Sequence, residues 1–247
     1  MSLRVLNAGP LSLYQDAGRP GYTQLGVSNS GVFDRQGQRV ANALVGNVPN
    51  AVVVEALGGG LAVIATADHV IAVSGAAGPA TINGEAVSTG RALSLHREDI
   101  LRLGTPTIGL RWTLGIAGGF DVTPVLGSAA TDTLGQIGPP ALAVGDELRA
   151  LVPAGHISTE TFPAYLPAGE LTVRLGLGPR DDWYTAEAIA TLLSAPWQVE
   201  ADSDRIGIRL AGPNLARRVM GELASEPVVR GSVQVTTSGR PVILGPD

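Results

Sequence analysis

The residues best suited to chemistry lie near the start of the chain, in the stretch LSLYQDAGRPGYTQLGVSNSGVFDR. Arg19 offers a planar fork of N–H donors that fits a carboxylate or phosphate oxygen. Asp16 and Asp34 offer carboxylates that can orient such a group or accept a proton from an amide nitrogen. Gln15 and Ser30 each add a donor and an acceptor. Taken alone, this stretch is either a capped surface loop or one wall of a site.

Three further polar clusters interrupt an otherwise apolar chain. In ANALVGN an asparagine falls within a predicted helix, where Asn is a poor helix former, so a tertiary contact is expected. LGSAATDT and DSDRIGIRLAG each place hydroxyl and charged side chains beside a strand. Each cluster alone suits capping or a surface ion pair, and together they indicate the rim of a common cleft. The candidate residues are Asn42, Ser128, Thr131, Asp132, Asp204 and Arg205, with Gln234 on a later strand.

The composition of the 247 residues removes several classes of function. With no cysteine, the chain has no thiolate nucleophile, disulfide or Cys-ligated zinc site. With no lysine, it has neither a Schiff-base amine nor a P-loop lysine. His69, His96 and His156 are far apart and lack the spacing of metal ligands, so no metal site is expected. The net charge of −5 argues against general nucleic-acid binding.

The apolar and glycine-rich runs bear on membrane and nucleotide binding. No apolar run near the start is long enough for a signal peptide, and none elsewhere approaches a membrane span, so a cytoplasmic protein is expected. The glycine runs LGGGL and AGGF lack the lysine and hydroxyl partners of a phosphate-binding loop and precede no long helix. They therefore predict turns rather than a nucleotide cradle.

Short strands separated by frequent turns predict a mainly β chain. Hydrophobic residues make up 45 % of the sequence, with 33 glycines and 17 prolines, so core-forming strands and turns are both plentiful. Asn83-Gly84 predicts a tight hairpin and GSVQVTTSGRPVIL another. The segments DILRLG, RWTLGIAGG, LTVRLGLGP and IGIRLAG predict strands. Only two short helices are expected, over residues 33–45 and 181–193, so the pattern favours barrels or sandwiches over βαβ units.

One carboxylate falls inside a predicted strand. In Val52–Leu57 the two-residue period puts Val53, Glu55 and Leu57 on one face, where Glu55 has apolar neighbours. A buried charge requires a partner, so we expect Glu55 to pair with an arginine; a catalytic role is the alternative.

A change in composition at LVPAGHISTETFPAYLPAGE, residues 151–170, indicates how the chain is divided into domains. This stretch is rich in Pro, Gly and Thr and lacks periodicity, which is typical of a domain boundary or a crossover. The sequence therefore predicts an N-terminal β unit over residues 1–155 and a C-terminal β unit over residues 156–247.

Four blocks, in order, resemble one known family. GPLSLYQDAGRPGYTQLGVSNSGVFDRQGQRVANALVGN resembles the opening of the allophanate hydrolase subunit 2 family, which includes a subunit of 5-oxoprolinase, the Kip kinase-inhibitor antagonist and part of the carboxyltransferase domain of urea carboxylase. GGFDVTPVLGSAATDT resembles a second block, with Ala130 where the family usually has Ser. SDRIGIRLAGP and SEPVVRGSVQVTTSGRPVIL resemble the third and fourth blocks, so the similarity covers essentially the whole chain.

This resemblance implies cyclophilin-like β-barrel units with two short helices and a heteromeric assembly with a subunit-1 partner. The implied activity is ATP-dependent hydrolysis of a small amide or lactam, of the 5-oxoprolinase or allophanate hydrolase type. Two alternatives stay open: a non-catalytic antagonist that binds a kinase-inhibitor partner, and a carboxyltransferase component of a biotin-dependent carboxylase. The last requires biotin on a separate chain, because this chain has no lysine.

Matches to the family blocks, together with side-chain chemistry, give the candidate site. Asp16, Arg19 and Asp34 are expected to act in catalysis, and Arg205 is expected to pair with an aspartate across the cleft. The expected substrate-binding residues are Gln15, Ser30, Asn42, Ser128, Thr131, Asp132, Asp204, Arg205 and Gln234. The family pattern continues past the position of Asp247, so the C-terminal unit is expected to be truncated, with part of the opposite wall absent.

Overall fold

The computed structural model describes residues 2–163, 169–221 and 223–247, and divides the chain into two compact units, Met1–Ala168 and Gly169–Asp247. Beyond residue 155, the amide of Ser158 still donates to the Leu44 carbonyl at 3.0 Å and that of Phe162 to the Gly90 carbonyl at 2.7 Å. The boundary between the compact units therefore lies later than the predicted division. Residues 164–168 of the predicted linker lie outside the described residues.

Within its described residues, the first unit has eleven strands, one α-helix and a short 3-10 helix (Thr23–Leu25), with two sheets that face a common core. The strands are β1 (Ser2–Ala8), β2 (Leu11–Gln15), β3 (Val53–Leu57), β4 (Leu61–Ala65), β5 (His69–Ala77), β6 (Ala80–Ile82), β7 (Glu85–Ala86), β8 (Ala92–Leu95), β9 (Ile100–Leu103), β10 (Ile108–Ile116) and β11 (Glu147–Arg149). The helix α1 covers Arg35–Leu44. One sheet has the order β11-β1-β4-β9-β6-β7 and the other the order β2-β3-β10-β5-β8.

The core of this unit consists of branched aliphatic side chains from both sheets, as strands that alternate apolar residues require. Val63 and Leu101 come from one sheet and Val73 and Leu114 from the other, all of them fully buried. Trp112 lies among them, and its indole N–H donates to the Gly104 carbonyl at 3.1 Å, which satisfies its polar atom. The sheets enclose the core as barrel walls do, although within the described residues the pairing order leaves each sheet with two edges.

Local chemistry explains the connections that the sequence predicted. Asn83 and Gly84 both have positive φ, 53° and 87°, as a type I′ turn requires, and they join β6 to β7. Asp34 is the N-cap of α1, and its side chain accepts from the Gly37 amide at 2.9 Å. The prediction of a helix here is confirmed, with ends within two residues of those expected.

In the part of the second unit that the structure describes, there is one four-stranded sheet, one α-helix and a 3-10 helix (Asp181–Trp183). Its elements are α2 (Ala186–Ser194), β12 (Gln198–Val199), β13 (Gly207–Ala211), β14 (Val233–Val235) and β15 (Pro241–Leu244), with sheet order β12-β13-β15-β14. The hairpin from β14 to β15 closes with the Thr236 amide donating to the Arg240 carbonyl at 2.9 Å, and Gly239 has φ 80°. The predicted strand at IGIRLAG and the predicted second hairpin are both confirmed. So is the mainly β chain with two short helices.

The predicted strand at LTVRLGLGP is wrong. These residues are described and form no strand, and Leu171, Val173 and Leu177 are exposed by 63 %, 73 % and 51 %. The two-residue alternation gave the face that each side chain would take, but a strand forms only where a neighbour accepts its backbone hydrogen bonds. Within the described residues of the second unit, the buried apolar side chains are those of Ala188, Leu215, Pro241 and Pro246, so this unit has little core.

No helix in the described ranges is both long enough and apolar enough to cross a bilayer. The longer of the two, α1, has 10 residues, whereas a span needs roughly 20.

The difference in burial predicts unequal stability within the chain. Amides of β5 and β10 should exchange with solvent at least about tenfold more slowly than those of β13 and β15, because exchange from a thin core requires only local opening. Hydrogen–deuterium exchange followed by mass spectrometry, corrected for intrinsic rates, measures this. Equal protection of the two sheets would contradict the burial argument.

Candidate functional site

Most of the predicted site residues of the first unit lie in a structure that we call the polar clamp, made of residues 15–34 and 125–139. The two segments are far apart in sequence and meet beside the end of β2. Asp16 is the point of contact: its Oδ1 accepts from the Ser128 hydroxyl at 2.5 Å and the Gly18 amide at 2.8 Å, and its Oδ2 accepts from the Ala129 amide at 2.8 Å. One carboxylate therefore holds both segments in register.

Glycines allow the first segment to fold tightly on itself. Gly18 and Gly31 have φ of 90° and 91°, and a Cβ on Gly31 would lie 2.8 Å from the Gly18 nitrogen. Only a residue without a side chain fits such an approach, which explains the glycines of DAGRPG and SNSG. Ser30, between them, also has positive φ, 52°, and is buried.

The carbonyl of Thr131 is a second centre of the polar clamp. It accepts from Gln15 Nε2 at 2.8 Å and from the Ser30 hydroxyl at 3.1 Å, while the Thr131 hydroxyl donates to the Pro139 carbonyl at 2.9 Å. Asp132, which is 1 % exposed, accepts from the Ser28 hydroxyl at 2.6 Å and from the Gly135 amide at 2.8 Å. These side chains are committed to holding the 125–139 segment.

Arg19 differs from the other side chains of the polar clamp because its hydrogen-bonding capacity is not fully used. Its guanidinium is 1 % exposed and donates to the carbonyls of Ala130 and, at 3.5 Å, Val125. Among the described residues it forms no ion pair, and its Nη1 has no hydrogen-bond partner. The Oε1 of Gln15 is likewise buried without a partner. A buried cation without an anion and a buried amide oxygen without a donor are both costly, and such costs are typical of binding sites.

The neighbouring tyrosine is neutral. Burial, with a smaller contribution from the charge of Asp146, raises the pKa of Tyr14 far above its usual value. Its backbone carbonyl accepts from the Thr131 amide at 3.0 Å, and its ring meets the edge of Phe120 with centroids 5.7 Å apart. Tyr14 thus joins the polar clamp to the core without adding charge.

Other predicted residues lie outside the polar clamp. Asn42 is fully buried in α1, donates to the carbonyls of Ala51 at 2.9 Å and Pro49 at 3.3 Å, and accepts from Asn47 at 3.1 Å. The expected tertiary reason for an asparagine in the helix is therefore confirmed: it holds the loop between α1 and β3.

In the second unit, Arg205 pairs with Asp247, whereas the sequence predicted a pair with Asp132 or Asp204. Its Nε and Nη2 donate to the two carboxylate oxygens of Asp247, each at 2.8 Å, in a fork that is almost fully buried. Asp204 instead accepts from the amides of Ile206 and Gly207, and Gln234 is exposed on β14.

A cleft of about 610 Å³ lies beside the start of α1 and is the larger of two cavities described in the first unit. Asp34 is the predicted site residue that lines it, together with Gln36, Ser74, Thr89, Gly90 and Phe162. The Ser74 hydroxyl donates to the Gly37 carbonyl at 2.7 Å, which ties β5 to the first turn of α1. A volume of this size suits a small organic substrate.

Glu55 forms the ion pair with an arginine that the sequence predicted. Its carboxylate is buried; Oε1 lies 3.4 Å from Arg111 Nη1, and Oε2 accepts from the Phe33 amide at 2.6 Å. The Arg111 guanidinium also lies 4.7 Å from the centre of the Phe33 ring. The expected arginine is therefore confirmed, but its identity was not predictable, because Arg111 is on a different strand.

The structure also tests whether the glycine runs fit a nucleotide. A Cβ on Gly59 would lie 2.5 Å from the Thr105 nitrogen, and Gly118 packs just as closely against the Leu151 backbone. The amides of Gly58, Gly60 and Gly119 donate to backbone carbonyls and that of Gly118 to Asn47 Oδ1, so the amides of these two runs are used within the chain and not held out to a phosphate. They are turns, as expected, and within the described residues neither run fits ATP.

Comparison with known families and proteins gives one consistent match for this mainly β chain. The family model for "Carboxyltransferase domain, subdomain A and B" matches residues 25–247. A 5-oxoprolinase subunit of Escherichia coli is 35 % identical over 98 % of this chain and 79 % of its own length. Urea amidolyase of Lachancea kluyveri is 31 % identical over 92 % of this chain and 14 % of its own.

Solved structures agree with this comparison. TTHA0988 has a TM-score of 0.89 and 37 % identity over the whole chain, and the urea amidolyase of Kluyveromyces lactis has a TM-score of 0.84 and 28 % identity over 99 % of it. The chain belongs to the carboxyltransferase-domain family, and the resemblance found in the sequence is confirmed. The chain spans about half the length of TTHA0988 (48 %) and 16 % of the urea amidolyase chain.

Asp16 should be essential for the stability of the polar clamp. Asp16→Ala leaves three donors without their acceptor and should lower the free energy of unfolding by about 2–4 kcal/mol. Asp121→Ala removes an exposed carboxylate for which the described residues offer no side-chain partner, and should change it by less than about 0.5 kcal/mol. Chemical denaturation of the three proteins measures both changes, and equal stability of the two variants would contradict the role given to Asp16.

Glu55→Gln should also destabilise the fold, because it leaves the Arg111 charge buried without its anion. We expect a loss of about 3 kcal/mol, against a negligible change for Glu147→Gln at an exposed position of β11. Thermal unfolding monitored by circular dichroism compares them. If Glu55→Gln unfolds at the wild-type temperature, the ion pair contributes nothing to the fold.

Proposed function

We propose that this chain is one component of a heteromeric ATP-dependent hydrolase of small amides or lactams, of the 5-oxoprolinase or allophanate hydrolase type, that acts with a subunit-1 partner. The observation that carries the proposal is the pair of unsatisfied atoms in the polar clamp, Arg19 Nη1 and Gln15 Oε1. The likeness to the 5-oxoprolinase relative of Escherichia coli supports the same interpretation.

The chemistry of the pair fits this substrate class. Arg19 Nη1 is a donor on a cation and suits a carboxylate or carbonyl oxygen, while Gln15 Oε1 is an acceptor and suits an N–H. A small amide or lactam acid carries both groups within a few bonds. Both side chains are fixed by neighbouring carbonyls, those of Ala130 and Thr131, so they approach the substrate together.

Access requires movement at the start of the 125–139 segment, since both atoms are enclosed. Val125 and Leu126 are each 41 % exposed, so this surface end can open while residues 128–132 stay held by their hydrogen bonds. Asp16 acts as a positioning residue in this scheme, because three donors of its own chain occupy its oxygens. Asp34, beside the cleft at α1, is the proposed proton acceptor.

ATP enters the proposal through the resemblance, and we assign its binding to the partner. Both glycine runs of this chain are packed against protein backbone. The nucleotide would activate the substrate in the assembly, and this chain would hold and orient the carbonyl compound. The isolated chain should therefore give no heat of ATP binding in titration calorimetry, whereas the assembly should. Micromolar binding of ATP to the isolated chain would contradict this division of roles.

Substitution of Arg19 tests the function itself. In the assembly with its subunit-1 partner, Arg19→Ala should lower kcat/KM for 5-oxoproline or allophanate by about 100-fold or more. Arg39→Ala, at an exposed position of α1, should leave it unchanged. Size-exclusion chromatography checks that each assembly is intact, and Arg19→Lys separates loss of charge from loss of fork geometry. Wild-type turnover of a folded Arg19→Ala assembly would overturn the site.

A regulatory role is the second candidate, because the carboxylates of the polar clamp are committed to internal hydrogen bonds. An antagonist that binds a kinase-inhibitor partner needs the rigid surface and not a free base. A tight complex with that partner, together with no turnover of 5-oxoproline, urea or allophanate with ATP, would favour it.

The carboxyltransferase alternative rests on the family match and on the urea amidolyase relatives. In that case biotin is carried on a separate chain, since this chain has no lysine for its attachment. Transfer of carboxyl label from carboxybiotin to urea, measured in the assembly, distinguishes it from lactam hydrolysis.

A further inference from the structure

A second cavity of the first unit lies away from both the polar clamp and the cleft at α1. It has a volume of about 360 Å³ and opens between the start of β5, the end of β8 and the segment 150–157. None of its lining residues belongs to the polar clamp or to the α1 cleft. Its size is at the lower end of the range for small-molecule sites.

The lining of the cavity combines apolar and polar residues. Val70, Ala117, Leu151 and Ile157 are its apolar members. His69, His96 and Asp68 are also among its lining residues, and His96 Nδ1 lies 3.8 Å from Asp68 Oδ1. Both members of that pair are more than 70 % exposed, so they lie at the rim, whereas His69 is partly buried.

His69 presents one free acceptor. Its Nε2 lies 3.3 Å from the Ser2 carbonyl oxygen, and because a carbonyl only accepts, Nε2 must carry the hydrogen. Burial is the largest influence on this imidazole and lowers its pKa, so the ring is neutral at pH 7. Nδ1 is then a lone-pair acceptor; no described residue donates to it, and it is not among the buried atoms without a partner, so it is accessible to solvent or to a ligand.

We propose that this cavity is a binding site for a small apolar molecule that carries one O–H or N–H donor, with His69 Nδ1 as the acceptor and the side chains of Val70, Ala117, Leu151 and Ile157 around the apolar body. An arrangement of one apolar pocket with a single fixed polar group is typical of small-ligand sites. The proposal is independent of the function proposed for the polar clamp, since the two share no residue.

Phenol and anisole are a matched pair of probes, because anisole has the same ring and lacks the donor. Titration of the full chain, followed by ¹H–¹⁵N correlation spectra, should give saturable shifts of the amides of β5 and β8 with phenol. Anisole should bind at least about fivefold more weakly, the effect of one hydrogen bond. Phenol and anisole binding equally well, or no shifts up to millimolar phenol, would overturn the proposal.

Substitutions locate the site. Ser94 lines the cavity from an exposed position of β8, so Ser94→Trp should block it and abolish the phenol shifts. Arg102→Trp, at an exposed position of β9, is the control and should leave them unchanged. His69→Phe should weaken phenol to the affinity of anisole, and His96→Phe at the rim should not. Unchanged phenol binding to Ser94→Trp would show that the probe binds elsewhere, and if His69→Phe fails to fold, the two wild-type titrations still decide.

Discussion

The carboxylate of Asp16 is the interaction on which the candidate site depends. It lies at the end of β2, accepts hydrogen bonds from its own turn through Gly18, and accepts two more from residues 128 and 129. Two chain segments separated by more than a hundred positions are thereby fixed to one another. A neutral side chain could accept fewer of these bonds and each more weakly, because bonds to an ionised acceptor are about twice as strong.

Because Asp16 holds the two segments of the polar clamp together, the buried atoms there that lack hydrogen-bond partners indicate where a ligand would bind. Asp16, Ser128, Thr131 and Asp132 have their hydrogen-bonding capacity used within the chain. The same neighbourhood leaves Arg19 Nη1 and Gln15 Oε1 buried without partners. Folding alone does not explain why the carboxylates of the polar clamp have partners while its one guanidinium does not. Burying a cation without a partner costs more than burying a paired carboxylate. The small amide or lactam acid that we propose as substrate would supply the missing partner.

Sequence predicted those features that short-range chemistry decides. The hairpin at Asn83-Gly84, the helix capped by Asp34 and the buried state of Glu55 follow from turn geometry, capping and strand period. Features that depend on distant partners were not predictable. Arg205 pairs with a carboxylate 42 positions away. LTVRLGLGP alternates as a strand does, yet period says nothing of whether a neighbouring strand exists.

The position of the family match bears on which residues carry the function. The carboxyltransferase match begins at residue 25, so Gln15, Asp16 and Arg19 precede it, while the 125–139 half of the polar clamp lies within it. Alignment with the 5-oxoprolinase relative of Escherichia coli covers 98 % of the chain and so extends across both halves. A clamp needs both halves, because Asp16 without Ser128 and Ala129 has only its local turn to accept from. Urea amidolyase of Kluyveromyces lactis also aligns over 99 % of the chain, so both kinds of relative span the two halves of the polar clamp.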